Sequence, residues 1–177
     1  MAPALRSRSD NVKVIMPVKA KVAKRIVKKV KQTFVAKDDD VDLVKEFPLT
    51  AEERAKYINL KTNRMITPFQ FKVYDLCAQI PRGHVSTYKA LSDALKSHPR
   101  AVGQALRVNP FAPLPVPCHR VIANDWSIGG FSGGFGDCQF VADKKAKLTK
   151  EGCTFDDYYQ FQSNVDGKKA IFTDFKV

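Results

Sequence analysis

The sequence predicts a mainly α-helical body with a few short strands, set behind a basic N-terminal arm. Three observations carry that reading. Phe71, Val73, Tyr74, Cys77 and Ile80 give an apolar face at helical spacing behind Pro68. Two short helix-forming stretches follow, separated by a tight turn through Lys96-Ser97-His98-Pro99. The strand candidates are as short as His84-Val85-Ser86.

In chain order, Val18, Val22, Ile26 and Val30 repeat every four residues among Lys and Arg. That is a basic amphipathic helix, or a segment that orders only on a partner. Asp38-Asp39-Asp40 closes the arm. Thr50-Ala51-Glu52-Glu53 has capping-box spacing and predicts a short helix reaching about Leu60. Thr67-Pro68-Phe69 opens a stronger helix, with proline in its first turn, and Pro81-Arg82-Gly83 ends it. A helix from Thr87 carries Leu91, Ala94 and Leu95. A second runs from Arg100 to Arg107 and stops before Asn109-Pro110. The pair reads as a helix-turn-helix, although many helical domains contain such a pair. Pro110, Pro113, Pro115 and Pro117 make residues 110–117 a stiff, extended lead-in. Gly129-Gly130-Phe131-Ser132-Gly133-Gly134 is a loop whose backbone can approach a ligand closely. A Lys-rich helix over about 140–150 leads to Glu151-Gly152. The chain thus divides into a basic arm (1–45), a short connecting segment (46–65), the helical domain (66–155) and a C-terminal tail (156–177).

The net charge of +12 is unevenly placed: residues 1–37 hold eleven Lys and Arg against one acid, Asp10. Such an arm binds a polyanion, most often nucleic acid, or is a solvated tail or an import signal. The run from Lys24 to Lys31 would serve as a nuclear-localisation patch as well as a DNA contact. A nuclear location is the expectation, with cytosolic and organellar ones left open. No stretch reaches the about 18 apolar residues of a membrane helix, which excludes a transmembrane protein of that kind. Cys77, Cys118, Cys138 and Cys153 form no CxxC pair and no zinc-spaced set with His, so they read as reduced thiols with no metal.

Cys118 alone has a chemical setting. It follows the proline lead-in, is flanked by His119 and Arg120, and the glycine loop lies eleven residues on. A thiol attacks only as thiolate and needs a base or a positive field to become one. On residue types alone, Cys118 is a nucleophile or a small buried hydrophobe, and both stand open.

The run Pro117-Cys118-His119-Arg120-Val121-Ile122 resembles the active-site signature of the O6-alkylguanine-DNA alkyltransferases. Three more pieces stand in that family's order: Gly83–Tyr88, Arg100–Pro110 and Gly129–Gly134. The resemblance covers about residues 66–152, roughly half the chain. It implies a winged-helix type of catalytic domain and a direct-reversal repair reaction, in which Cys118 takes an alkyl group from O6 of guanine in double-stranded DNA. The thioether has no route back, so each molecule acts once, as a monomer and without a cofactor.

The resemblance also implies roles. The helix pair would enter the minor groove, where small Ala101 and Gly103 suit the narrow space and Arg107 contacts DNA. Arg100 would take the place of the extruded nucleotide; on its own it reads as a phosphate contact. Tyr88 would hydrogen-bond the guanine and donate a proton to the leaving base; on its own it is a half-buried helix tyrosine. Asn109 would hinge the recognition helix to the active-site loop, or cap the helix, or both. Backbone groups of Cys118, Val121 and Ser132 would read the base edge, and Phe131 would pack on it. His119, oriented by Glu151, would activate Cys118 through a water.

The chain also departs from that family. Its N-terminal α/β domain is expected to be missing or reduced, together with the metal site some members carry there, since no cysteine precedes Cys77. Phe131 stands where many members have tyrosine. Trp126 stands where glycine is common and is expected to narrow the pocket. The stretch from Gly134 to Glu151 is long. Two other classes fit part of the pattern. Non-catalytic alkyltransferase-like binders lack the cysteine present here, and a linker-histone-like chromatin protein would leave the Cys-His site without a use.

Overall fold

The computed structural model describes residues 45–177; the basic arm and the amphipathic helix expected at Val18, Val22, Ile26 and Val30 lie outside the described residues. Local sequence sets the helix starts. Thr50 and Thr67 each accept from a backbone amide three residues on, while Glu53 and Gln70 reach back, making two complete capping boxes. They open α1 (Ala51–Ala55) and α2 (Pro68–Cys77). Thr87 caps α3 (Tyr88–Ala94), and Pro99 sits in the first turn of α4 (Pro99–Arg107). A 3-10 turn over Cys118–Arg120 precedes α5 (Gln139–Lys150).

The strands are two or three residues long. Antiparallel pairs join β1 (Ile58–Asn59) to β2 (Arg64–Met65) and β5 (Thr154–Phe155) to β6 (Phe161–Ser163). A parallel pair joins β3 (Ser86–Thr87) to β4 (Val121–Ile122). The described chain is therefore helical with few short strands, and α3 and α4 pack directly on one another.

Two apolar clusters form the interior. Phe71, Tyr74, Leu91, Val102, Phe111 and Val121 belong to the first, under α2, α3 and α4. Val85, Ile122, Val141, Leu148 and Phe161 belong to the second, under α5. Successive strand residues face opposite ways, so Val121 and Ile122 of β4 enter one cluster each. That strand stitches the halves together.

Two segments differ from the expectation. The helix begun at Thr50 stops at Ala55 rather than reaching Leu60, and the β1–β2 hairpin follows. Tyr57 packs on Phe111 at 5.1 Å and Asn59 donates to Val108 O at 2.7 Å. Residues two apart share a face in a strand but not in a helix, so an extended backbone makes both contacts. The stretch 156–177, expected as a tail, returns to the body. Phe161 is fully buried and stacks on Trp126 with centroids 5.9 Å apart. Ile171 bridges to Val85, Phe172 N donates to Val85 O at 2.8 Å, and Phe172 and Phe175 pack on the first cluster. Phe155, Tyr159, Phe161, Phe172 and Phe175 carry too much apolar area to be left in water. Trp126, expected to narrow the pocket, packs its partly exposed ring on Phe161 in the second cluster.

Replacing Phe161 by alanine should cost about 3–5 kcal/mol, as for a buried core aromatic. Denaturant unfolding measures this; a loss near zero would mean that the segment is a loose tail after all.

Candidate active site

The loop that carries Cys118 is closed on itself. Asn109, almost fully buried, donates from Nδ2 to Val116 O at 3.0 Å and accepts the Phe111 amide on Oδ1 at 2.9 Å. Val116 N reaches Phe111 O at 3.4 Å and Cys118 N reaches Val116 O at 2.9 Å. The proline stretch, expected to run extended, is therefore a folded loop whose two ends one side-chain amide ties together. Cys118 opens the 3-10 turn and is partly exposed, whereas His119 and Arg120 are buried.

Glu151 meets both of them. His119 Nε2 lies 2.9 Å from Glu151 Oε1, and Arg120 donates from Nε to Oε2 and from Nη2 to Oε1, each at 2.8 Å. Arg120 Nη1 donates to Ile80 O at 2.8 Å. Burial raises the Glu151 carboxyl, but the hydrogen bonds and charges of His119 and Arg120 outweigh it and hold the group at about 2. Burial lowers His119 despite the carboxylate, so the ring is a neutral base at neutral pH. A carboxylate only accepts, so the proton of that neutral ring lies on Nε2 and Nδ1 keeps its lone pair. Arg120, first read as a flank of positive charge for the thiol, instead binds Glu151 from inside the fold.

Burial pushes the Cys118 thiol up; the Asn109 side chain and then the charges of Lys144, Lys61 and Lys147 pull it down. The sulfur thus rests protonated among cations. The ring of Tyr88 lies between α4 and the glycine loop: a Cβ on Gly103 would stand 4.0 Å from it and one on Gly129 3.7 Å. Its hydroxyl donates to Gly130 O at 3.4 Å. Burial, with Cys118 beside it, raises the Tyr88 hydroxyl, which keeps its proton. Phe131 and Gly134 pair across a two-residue turn in which Ser132 and Gly133 have φ of 51° and 89°. Left-handed backbone at both positions is what a tight hairpin turn needs. Lys147 Nζ sits 5.2 Å from the Phe131 ring centroid.

The structure joins His119 to Glu151, with Cys118 the residue before His119 in the 3-10 turn, and brings Tyr88 to the glycine loop. Arg100 and Arg107 stand exposed on α4, with Ala101 and Gly103 half-buried on the same helix. Arg107 reaches the turn, where a Cβ on Gly133 would lie 3.7 Å from its Nε. The backbone of Val121, expected to read a base edge, is already engaged: its amide donates to Cys118 O and its carbonyl accepts from Lys144. Ser132 is exposed at the turn.

Lys144 was not foreseen. It is fully buried, and its ammonium donates to Val121 O at 2.7 Å, Ile128 O at 2.6 Å and Gly130 O at 3.4 Å. Burial pushes it down to about 7, against the pull of Cys118 and Cys77. One signal could have found it: Lys144 falls on the helical stripe of Val141 and Leu148, where a lysine has no apolar reason to be. Among the described residues no three His, Cys, Asp or Glu side chains converge as a metal site.

These features place a partly exposed cysteine next to a neutral histidine that a largely buried carboxylate orients, and α4 carries two exposed arginines. Residues 68–153 match the family described as 6-O-methylguanine DNA methyltransferase, DNA binding domain, and this part of the chain belongs to that family. A methylated-DNA–protein-cysteine methyltransferase of Thermococcus kodakarensis is 41% identical over 92 residues, 51% of this chain and 52% of the relative. One of Saccharolobus solfataricus is 47% identical over 95 residues, 54% of this chain and 55% of the relative. The chain spans about half the length of the curated relatives it matches. The crystal structure of an O6-methylguanine-DNA methyltransferase from Pyrococcus kodakaraensis is 30% identical and covers 75% of this chain and 78% of that one, with a TM-score of 0.44.

Glu151 has a carboxyl lowered from 4.5 to about 2, so the stability it supplies is complete above about pH 4.5 and is lost as pH falls towards 2. Glu151→Gln should therefore flatten the acid limb of stability between pH 5 and 2. At neutral pH it should cost about 3–5 kcal/mol, because Arg120 is left buried without its partner. Urea unfolding at a series of pH values checks both; an acid limb as steep as the parent's would rule out this role for the carboxyl.

Proposed function

We propose that this chain is a direct-reversal DNA-repair protein that moves an alkyl group, methyl in the simplest case, from O6 of guanine to its own Cys118, once per molecule. One observation carries the reading. A partly exposed thiol follows a closed loop and precedes a histidine that is neutral and fixed by Glu151 through Nε2. The nearby Asn109 amide and three lysines favour the thiolate once a base takes the proton. The family of residues 68–153 and the names of the curated relatives support the same chemistry.

In the proposed reaction the thiol proton passes through a water to His119 Nδ1. The Cys118 sulfur attacks the alkyl carbon in line, a carbon–sulfur bond forms, and the bond from carbon to O6 breaks. The electron pair of that bond stays with the purine, which takes up a proton and leaves as guanine, with Tyr88 as the donor on its path. The proton lost by the thiol equals the proton gained by the base. No cofactor enters the balance, because the cysteine is the acceptor.

The helix pair α3 and α4 acts in this reading as a helix-turn-helix laid in the minor groove. Arg107 and exposed Arg100 stand on one helix, and the small residues Ala101 and Gly103 leave room for close approach. Arg100 fills the gap left by the flipped nucleotide, at the unstacking cost such enzymes meet. The charge of residues 1–37 adds salt-dependent attraction to DNA and suits a nuclear location. Phe131 and the turn at Ser132 face the extruded base.

Intact-mass and peptide analysis after incubation with a duplex holding one O6-methylguanine should find one methyl group on Cys118, one guanine restored, and no turnover beyond one equivalent. Cys118→Ala should bind the same duplex without transfer. Tight binding by the parent chain with no mass change would replace this reading with that of a non-catalytic binder. Tyr88→Phe should keep the binding and slow the transfer, by about 100-fold if the hydroxyl is the general acid.

A further inference from the structure

Residues 45–61 precede the segment that matches the family, yet they hold the loop that delivers Cys118. Lys45 donates from its backbone amide to Leu114 O and from Nζ to Pro110 O, both at 3.0 Å. Asn59 Nδ2 donates to Val108 O and Lys61 Nζ to Asn109 O, both at 2.7 Å. The rings of Phe47 and Tyr57 meet Phe111, near the start of that loop, at 4.8 and 5.1 Å. The carbonyls of residues 108, 109, 110 and 114 are thus all taken by this one segment.

Lys61 differs from the other donors in where it binds. Its ammonium sits on the carbonyl of Asn109, the residue whose side chain closes the loop onto Val116. We propose that Lys61 is a positioning residue for Cys118: anchored on Asn109, it holds the 109–117 loop in place and presents a fixed positive charge towards the sulfur. The inference rests on the reading of Cys118 as the nucleophile.

The charged and titratable groups around that sulfur come from several elements. Lys144 and Lys147 face it from α5, but the first is committed to three carbonyls and the second lies over Phe131. Tyr74 and Cys77 of α2 and Tyr88 of α3 are its neutral neighbours, each raised by burial and by Cys118. His119 follows it in the 3-10 turn as a neutral ring. Among the cations that draw the thiol down, Lys61 alone is supplied from ahead of α2. It is exposed, so its field is open to screening by salt.

The test reads the thiol without DNA. Iodoacetamide labelling of the folded chain, followed peptide by peptide at a series of pH values and at low salt, gives the midpoint for Cys118. Labelling of buried Cys77 and Cys153 in the same digests reports any loss of fold. Lys61→Met should raise the Cys118 midpoint and slow its labelling near neutral pH by about three-fold, the effect of half a unit. The difference should shrink in high salt, and Lys61→Arg should recover most of it. A Lys61→Met midpoint equal to the parent's at low salt, with Cys77 and Cys153 still protected, would overturn the proposal. Because the reagent replaces the DNA, a parent chain inert towards the alkylated duplex would count against the proposed function alone.

Discussion

The largely buried carboxylate of Glu151 is the constraint on which the site depends. It lies one residue past α5 and binds the two residues after Cys118, while Arg120 continues to Ile80 O behind α2. Three pieces distant in sequence are thereby fixed to one group: the end of α5, the 3-10 turn and the loop behind α2. A buried charge is tolerated only when it is paired and hydrogen-bonded. Here each carboxylate oxygen has a cationic or imidazole partner, so the arrangement is self-consistent only when all three pieces are in place. The orientation of His119 is a consequence of that closure rather than a separate feature.

The same logic explains the cluster boundary. β4 places Val121 in one core and Ile122 in the other, and the carbonyl of Val121 is held by the Lys144 ammonium. That ammonium also holds Ile128 and Gly130, so the glycine loop is tied to the strand that follows the nucleophile. The buried carbonyls of Val121 and Ile128 need donors, and a lysine at the apolar stripe of α5 supplies both in one side chain. The left-handed turn at Ser132 and Gly133 therefore stands on a loop whose base is anchored.

Much of this was legible in the sequence. Helix starts were readable because Thr50, Thr67 and Thr87 are local signals that act within a few residues. The His119–Glu151 contact was legible through resemblance, not through spacing: nothing in the interval between residues 119 and 151 says that they meet. The helix past Ala55 was misjudged because a capping box marks a beginning and says nothing of the end. The last stretch was misjudged because its aromatics are scattered without period, and their burial depends on partners such as Val85 and Trp126 that only the fold supplies. Lys144 and Lys61 escaped notice for opposite reasons. The first was hidden in a lysine-rich helix, and the second does its work through a backbone carbonyl that no side-chain pattern reveals.

The resting protonation states bear on the proposed role of Cys118 as a nucleophile. A thiolate exposed at all times is open to oxidants and stray electrophiles. Burial keeps the Cys118 sulfur protonated, while His119 keeps a free lone pair because Glu151 holds its other nitrogen. The cations around the sulfur then stabilise the thiolate only after the base has drawn off the proton. Two opposing tendencies, burial and positive charge, thus act on the thiol, and burial is the larger.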